Sequence, residues 1–239
     1  MKKTLIYAGL IMCAALFGTV FAHERNVYAN EVDEVQIVEL DSDEGLNEEQ
    51  FEEENKRLFA LGKQLQNRRQ STICTLSNFP TLYQGNAAWK DCVMMTRGKT
   101  IGAAGCCLTG FTMIQQYYGG TDTPDVVNTK MGNYACDFYY YEAADRYDYT
   151  VSSYIGKKSN EAPVSYDDMV DYVWAAIWEG HPVLIGMRHD TENTHFVVAY
   201  GYAYDHIFIK DPAESRNKTY LSEYMDLGYE IHRVIIYED

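Results

Sequence analysis

The chain has 239 residues, 46% of them hydrophobic and 23% charged, enough for one sizeable core or a core with an appendage. Seventeen glycines and five prolines exclude a collagen-like or low-complexity chain. A formal net charge of −15 argues against a nucleic-acid partner, because phosphate binding needs a basic surface.

Lys2 and Lys3 precede an uncharged run from Thr4 to Ala22 that ends in Val20-Phe21-Ala22. A positive start, an apolar stretch and small closing residues predict a secretory signal peptide over 1–22, cut after Ala22, with Ala29 as a second cleavage point. The run is short for a membrane span and lacks a basic stop-transfer flank, so no stable span is expected after cleavage. The mature protein is therefore expected outside the cell, secreted or at its surface, and the pattern fits a bacterial exported protein. From Glu31 to Glu54 there are twelve acidic residues and no Lys or Arg. Such a block repels itself and buries little, so residues 23–70 are expected to form an acidic spacer or pro-segment carrying one helix. That helix starts at Asn47 and runs through Phe51, Leu58, Leu61 and Leu65 toward Arg68-Arg69, with acids first and bases last to match its dipole. Nothing in these residues signals docking, and the helix reads as a solvated stalk.

Residues 71–239 are expected to be the globular domain. One helix runs from Gly105-Cys106 through Phe111, Met113, Ile114 and Tyr117 and stops at Gly119-Gly120. A second begins at Ser165, with Asp168 completing a capping box, and ends at Gly180. The period then changes to strands over Pro182–Met187, His195–Tyr202, His206–Lys210 and Glu230–Tyr237. Helices first and antiparallel strands later predict an α+β domain. Eleven of the 21 tyrosines fall between Tyr117 and Tyr172, a density that fits the edge of a packed core and, alternatively, a polymer-binding face.

Cys13 leaves with the signal peptide, and Cys74, Cys92, Cys106, Cys107 and Cys136 remain. An odd number in an exported protein leaves at least one thiol outside any intramolecular disulfide. No spacing matches a metal site, and neither a metal nor a cofactor is expected. Cys106 follows Gly105 at a helix start, where unpaired N–H groups and the helix dipole favour a thiolate. A thiol nucleophile also needs an imidazole partner, and His195 opens a strand where it can meet the helix start. Asp211, ahead of Pro212, ends the next strand and is placed to fix the imidazole tautomer. An oxyanion needs a donor beyond the Cys106 backbone N–H, and Gln84 is the candidate. His181, His189, His206 and His232 read as structural or exposed. The Cys106-Cys107 doublet raises a second expectation, a strained and reversible disulfide between neighbours.

Leu82-Tyr83-Gln84, Trp89, Gly105-Cys106-Cys107-Leu108-Thr109, Gly180-His181-Pro182-Val183, His195-Phe196-Val197-Val198 and Ile209-Lys210-Asp211-Pro212 occur in that order. Together they resemble the bacteriocin-processing (double-glycine leader) peptidase-like family, a branch of the papain-like cysteine peptidases. The resemblance implies a papain-like fold with Cys106 as nucleophile, ahead of Cys107, His195 as base, Asp211 as its orienter and Gln84 as oxyanion donor. It implies a peptide or protein substrate and hydrolysis through a thioester. The substrate of the leader peptidases is not carried over, because they work in the cytoplasm and this chain reads as exported. The alternative function is a catalytically silent module that binds peptide or cell-wall polymer through the tyrosine-rich stretch from Tyr134 to Tyr154.

Overall fold

The computed structural model describes residues 46–69, 72–157, 161–189, 192–216 and 218–239. The expected signal peptide and most of the acidic spacer lie outside them. In chain order the elements are α1 (Glu52–Arg69), β1 (Cys74–Thr75), α2 (Ile101–Ala104), α3 (Cys106–Tyr117), α4 (Pro124–Met131), α5 (Tyr140–Arg146), β2 (Thr150–Gly156), α6 (Tyr166–Glu179), β3 (Val183–His189), β4 (Glu192–Ala203), β5 (His206–Lys210), α7 (Ser222–Met225) and β6 (Glu230–Glu238). The expected α+β class holds. No described helix is long and apolar enough to cross a membrane.

The strands form one antiparallel sheet in the order β1-β4-β3-β6-β2, and β5 also pairs with β4. Its central strands are apolar on successive residues: Val183–Ile185, Val197–Ala199 and Val234–Tyr237 are all buried. Such runs need cover on both faces. Helix α3 supplies one cover and reaches it through Gly110, where a Cβ would lie 2.9 Å from Leu184 and 3.3 Å from Val198. Helix α6 supplies the other, with Trp174 edge-on to Tyr202 at 5.0 Å between ring centroids. Its ends match the expected signals. The Ser165 hydroxyl accepts from the Asp168 N–H at 3.1 Å, and Gly180 turns left-handed at φ 98°.

The tyrosine-rich segment wraps α3 as the edge of the core. Phe111 of α3 meets Phe138, Tyr147 and Tyr237 with ring centroids 5.1–5.2 Å apart. Tyr140 and Tyr154 are buried, and Tyr141 is the member of this segment that stands out in solvent. Helices α4 and α5 and strand β2 lie in a stretch where the sequence suggested no elements. Pro124 at the first turn of α4 was a start signal. Strand β2 carries a register shift between Val151 and Ser153, which interrupts the period-two alternation that marks a strand.

Helix α1 is not a solvated stalk. Leu58 and Leu65 are buried, and Asn55 Nδ2 donates to the Tyr154 carbonyl at 2.9 Å. Arg57 makes two 2.7 Å bonds to the Glu179 carboxylate at the end of α6. At Gly62 a Cβ would lie 2.1 Å from the Asp171 carbonyl oxygen, so the backbones of α1 and α6 touch there. The docking face is Asn55, Leu58, Gly62 and Leu65, a three-four spacing in which two of the four residues are not apolar. That is why hydropathy alone hid it.

Candidate active site

Cys106 is placed by two short-range constraints. Helix α2, capped by the Thr100 side chain, ends at Gly105, whose N–H bonds the Ile101 carbonyl at 2.7 Å. A Cβ on Gly105 would lie 2.6 Å from that same oxygen, so only glycine fits between the two helices. Cys106 is then the first residue of α3, where backbone N–H groups have no intrahelical acceptor.

Strand β4 brings the imidazole. The Cys106 sulfur lies within the electrostatic reach of the His195 ring and of the backbone N–H groups of Phe196 and Cys107, all of which favour its thiolate. Phe196 lies opposite Gly186 of β3, where a Cβ would lie 2.7 Å from its ring, so the absent side chain makes room for it. The β4–β5 hairpin turns through Tyr204 and Asp205, both at positive φ, and pairs Val198 with Lys210. Asp211, the next residue, therefore arrives beside His195, and Nε2 of the ring lies 2.9 Å from Asp211 Oδ1. With Nε2 engaged by the carboxylate, Nδ1 is the ring nitrogen left for the sulfur.

Asp211 is itself held. Its Oδ1 also accepts the Ala213 N–H at 2.8 Å, an Asx turn made at Pro212, and its Oδ2 accepts the Tyr224 hydroxyl. Tyr224 is the site residue that sequence reasoning missed, since a tyrosine in Ser222-Glu223-Tyr224 carries no motif. Cys106, His195 and Asp211 are all at least nine-tenths buried.

Gln84 lies between the two sides of this arrangement. Its backbone N–H bonds the Pro212 carbonyl at 2.9 Å, and its Nε2 bonds the Gly102 carbonyl at 2.9 Å. One amide hydrogen remains for another acceptor. Trp89 fixes the same loop by donating to the Tyr83 carbonyl at 2.8 Å.

The electrostatics favour an ion pair. Burial alone would push the Cys106 thiol up, but the His195 hydrogen bond and charge, with the two backbone N–H groups, hold it below the ordinary thiol value. Burial likewise works against protonated His195, yet the bonds to Asp211 and Cys106 outweigh it and raise the imidazole to about 9. Both directions favour a thiolate beside an imidazolium, the pairing that a thiol nucleophile needs.

Cys107 has a different environment. Successive helical residues point about 100° apart, and Cys107 is directed toward Tyr237 in the core. In this structure none of the described cysteines Cys74, Cys92, Cys106, Cys107 and Cys136 is in a disulfide. His232 is buried and pushed down to about 3 by burial and by the Arg233 and Arg188 charges, so it is a neutral structural residue. His189 and His206 pack on Tyr229 and Tyr220. Among the described residues, no group of three or more His, Cys, Asp or Glu side chains is arranged to hold a metal ion.

No curated protein and no solved structure matches this chain. The stretch that holds all four candidate residues is nonetheless the stretch a family accounts for: residues 77–232 match the Peptidase_C39 like family, and the chain belongs to that family.

Proposed function

We propose that this protein is an exported cysteine peptidase of papain-like fold, with residues 1–22 as its signal peptide. The observation that carries the reading is His195, within reach of the Cys106 sulfur and hydrogen-bonded to the Asp211 carboxylate. In this reading the Cys106 thiolate attacks the peptide carbonyl carbon, and the oxyanion is met by the Cys106 N–H and the free amide hydrogen of Gln84. The C–N bond breaks as the His195 imidazolium gives its proton to the departing amine, leaving a thioester on Cys106. Neutral His195 then takes a proton from water, whose oxygen attacks the thioester. The acid product leaves, and the thiolate and imidazolium are restored. Asp211 stays ionised throughout and holds the ring.

The test is iodoacetamide alkylation of the purified, reduced protein across pH, with peptide mapping, followed by a peptide-library cleavage screen. Fast alkylation confined to Cys106 below about pH 7, lost in His195→Ala, with cleavage products in the screen, is the expected result. Slow alkylation spread over several cysteines and rising only near pH ~8.5 would mean ordinary thiols and would remove the proposal.

A further inference from the structure

Asp211 faces a geometric problem that His195 alone does not solve. Two donors, His195 Nε2 and the Ala213 N–H, converge on Oδ1 at 2.9 and 2.8 Å. A carboxylate bonded through one oxygen can still swing about its Cβ–Cγ bond, a soft two-fold torsion. The Tyr224 hydroxyl closes that freedom by donating to Oδ2.

We propose that Tyr224 is a positioning residue of the site: it locks the Asp211 carboxylate so that Oδ1 faces the His195 ring, and it shields that carboxylate from solvent. The inference rests on the cysteine-peptidase reading above and extends it to a residue that belongs to no recognised motif. Tyr224 is completely buried. Its ring lies 5.4 Å from the His195 ring at 42°, and Tyr229 packs edge-on against it at 5.1 Å and 80°. Beyond this ring is a cleft of about 340 Å³, lined also by His189, Arg216, Lys218, Leu227 and Tyr229. The Tyr224 ring therefore stands between this cleft and the buried carboxylate.

The backbone around Tyr224 is built to hold this position. The Leu221 N–H bonds the Ile207 carbonyl at 3.0 Å, which ties α7 to β5, the strand that delivers Asp211. Glu223 Oε2 accepts the N–H groups of Thr219 and Tyr220, each at 2.8 Å, and fixes the entry to α7. Tyr229 receives an Arg216 Nη1 bond at 2.6 Å, which anchors the next ring outward. Burial, and then the Asp211 bond and charge, push the Tyr224 phenol well above its ordinary value, so the hydroxyl is a constant donor. The ionisable groups that act on His195 are Cys106 from α3 and Asp211 after β5. Those that act on Tyr224 are Asp211, Arg216 and Tyr229.

Tyr224→Phe removes the hydroxyl and keeps the ring. Its Cys106 alkylation-rate profile and its His195 titration by NMR are compared with those of the wild type. The expected result is a fall in the His195 pKa and about a tenfold loss of Cys106 alkylation rate near pH ~8, with the spectrum of a folded protein retained. In the Asp211→Asn background the same substitution is expected to add almost nothing, because the carboxylate it positions is gone. An unchanged His195 titration, a raised one, or a full additive loss in the double variant would each overturn the positioning role. Wild-type protein without low-pH alkylation of Cys106 would instead overturn the peptidase reading, so the two failures are distinguishable.

Discussion

His195 and Asp211 are sixteen residues apart in the chain and meet at 2.9 Å, because one tight hairpin brings the end of β5 back alongside the start of β4. The pair is a local product of strand pairing. The thiol comes from elsewhere: α3 must press onto the same sheet, and Gly110 lets it, with Leu184 and Val198 where a side chain would otherwise be. The site is thus assembled by one hairpin and one helix–sheet contact, and each can be perturbed separately.

Removing the Cys106 thiol separates the two members of the doublet. Cys106→Ala is expected to lower peptide turnover by about 10⁴-fold or more while leaving the fold intact. Cys107→Ala deletes a core sulfur near Tyr237 and is expected to cost stability but keep the rate within a few-fold. Steady-state rates and thermal melts of both variants check this, and an active Cys106→Ala would mean that another group attacks.

The pH profile follows from the direction of both shifts. The thiol is held down, so the thiolate forms below the ordinary thiol range, and the imidazole is held up, so its proton persists to about 9. Activity is expected to rise as Cys106 deprotonates, stay flat while thiolate and imidazolium coexist, and fall as pH passes about 9. A profile of kcat/KM against pH measures this. A rate that keeps rising past pH ~9 would place the working thiol in its free, unpaired range.

Asp211→Asn keeps the size of the side chain and removes its charge. His195 then loses the charge that stabilises its protonated form, and kcat/KM is expected to fall by about 10²–10⁴-fold. The descending limb is expected to move to lower pH, because the remaining support for the imidazolium is Cys106 alone. Equal limbs in the variant and the wild type would show that Asp211 has only a packing role.

Much of this candidate site is legible in the amino-acid sequence. Cys106, His195 and Asp211 stand at element boundaries that glycine, strand period and Pro212 announce, and boundaries are where polar side chains escape the core. Gln84 was legible as a polar residue in a loop, but not its bonds to Gly102 and Pro212, which depend on how that loop lies across α2. Tyr224 was not legible at all. Among 21 tyrosines, nothing local distinguishes the one whose hydroxyl reaches a buried carboxylate, since that contact spans from α7 to the end of β5. Helix α1 was legible as a helix and not as a docked one, because Asn55 and Gly62 carry the contact without being hydrophobic.

That docking leads to the last prediction. The main contacts of α1 with the rest of the domain are with α6 and β2, including Gly62 against Asp171, Arg57 with Glu179 and Asn55 with Tyr154. A helix that supports the back of the domain stabilises it, whereas an inhibitory pro-segment would have to reach the thiol. Leu58→Ala is expected to cost about 2–4 kcal/mol of unfolding free energy through the cavity it opens. Gly62→Ala is expected to cost about 1–3 kcal/mol, because the added methyl overlaps the Asp171 carbonyl and forces the helices apart. Both variants are expected to keep wild-type kcat/KM at temperatures where they remain folded. Denaturant melts and peptide assays on the same preparations check the pair. A rise in peptide cleavage on loosening α1, rather than a loss of stability alone, would show that the segment restrains the site after all.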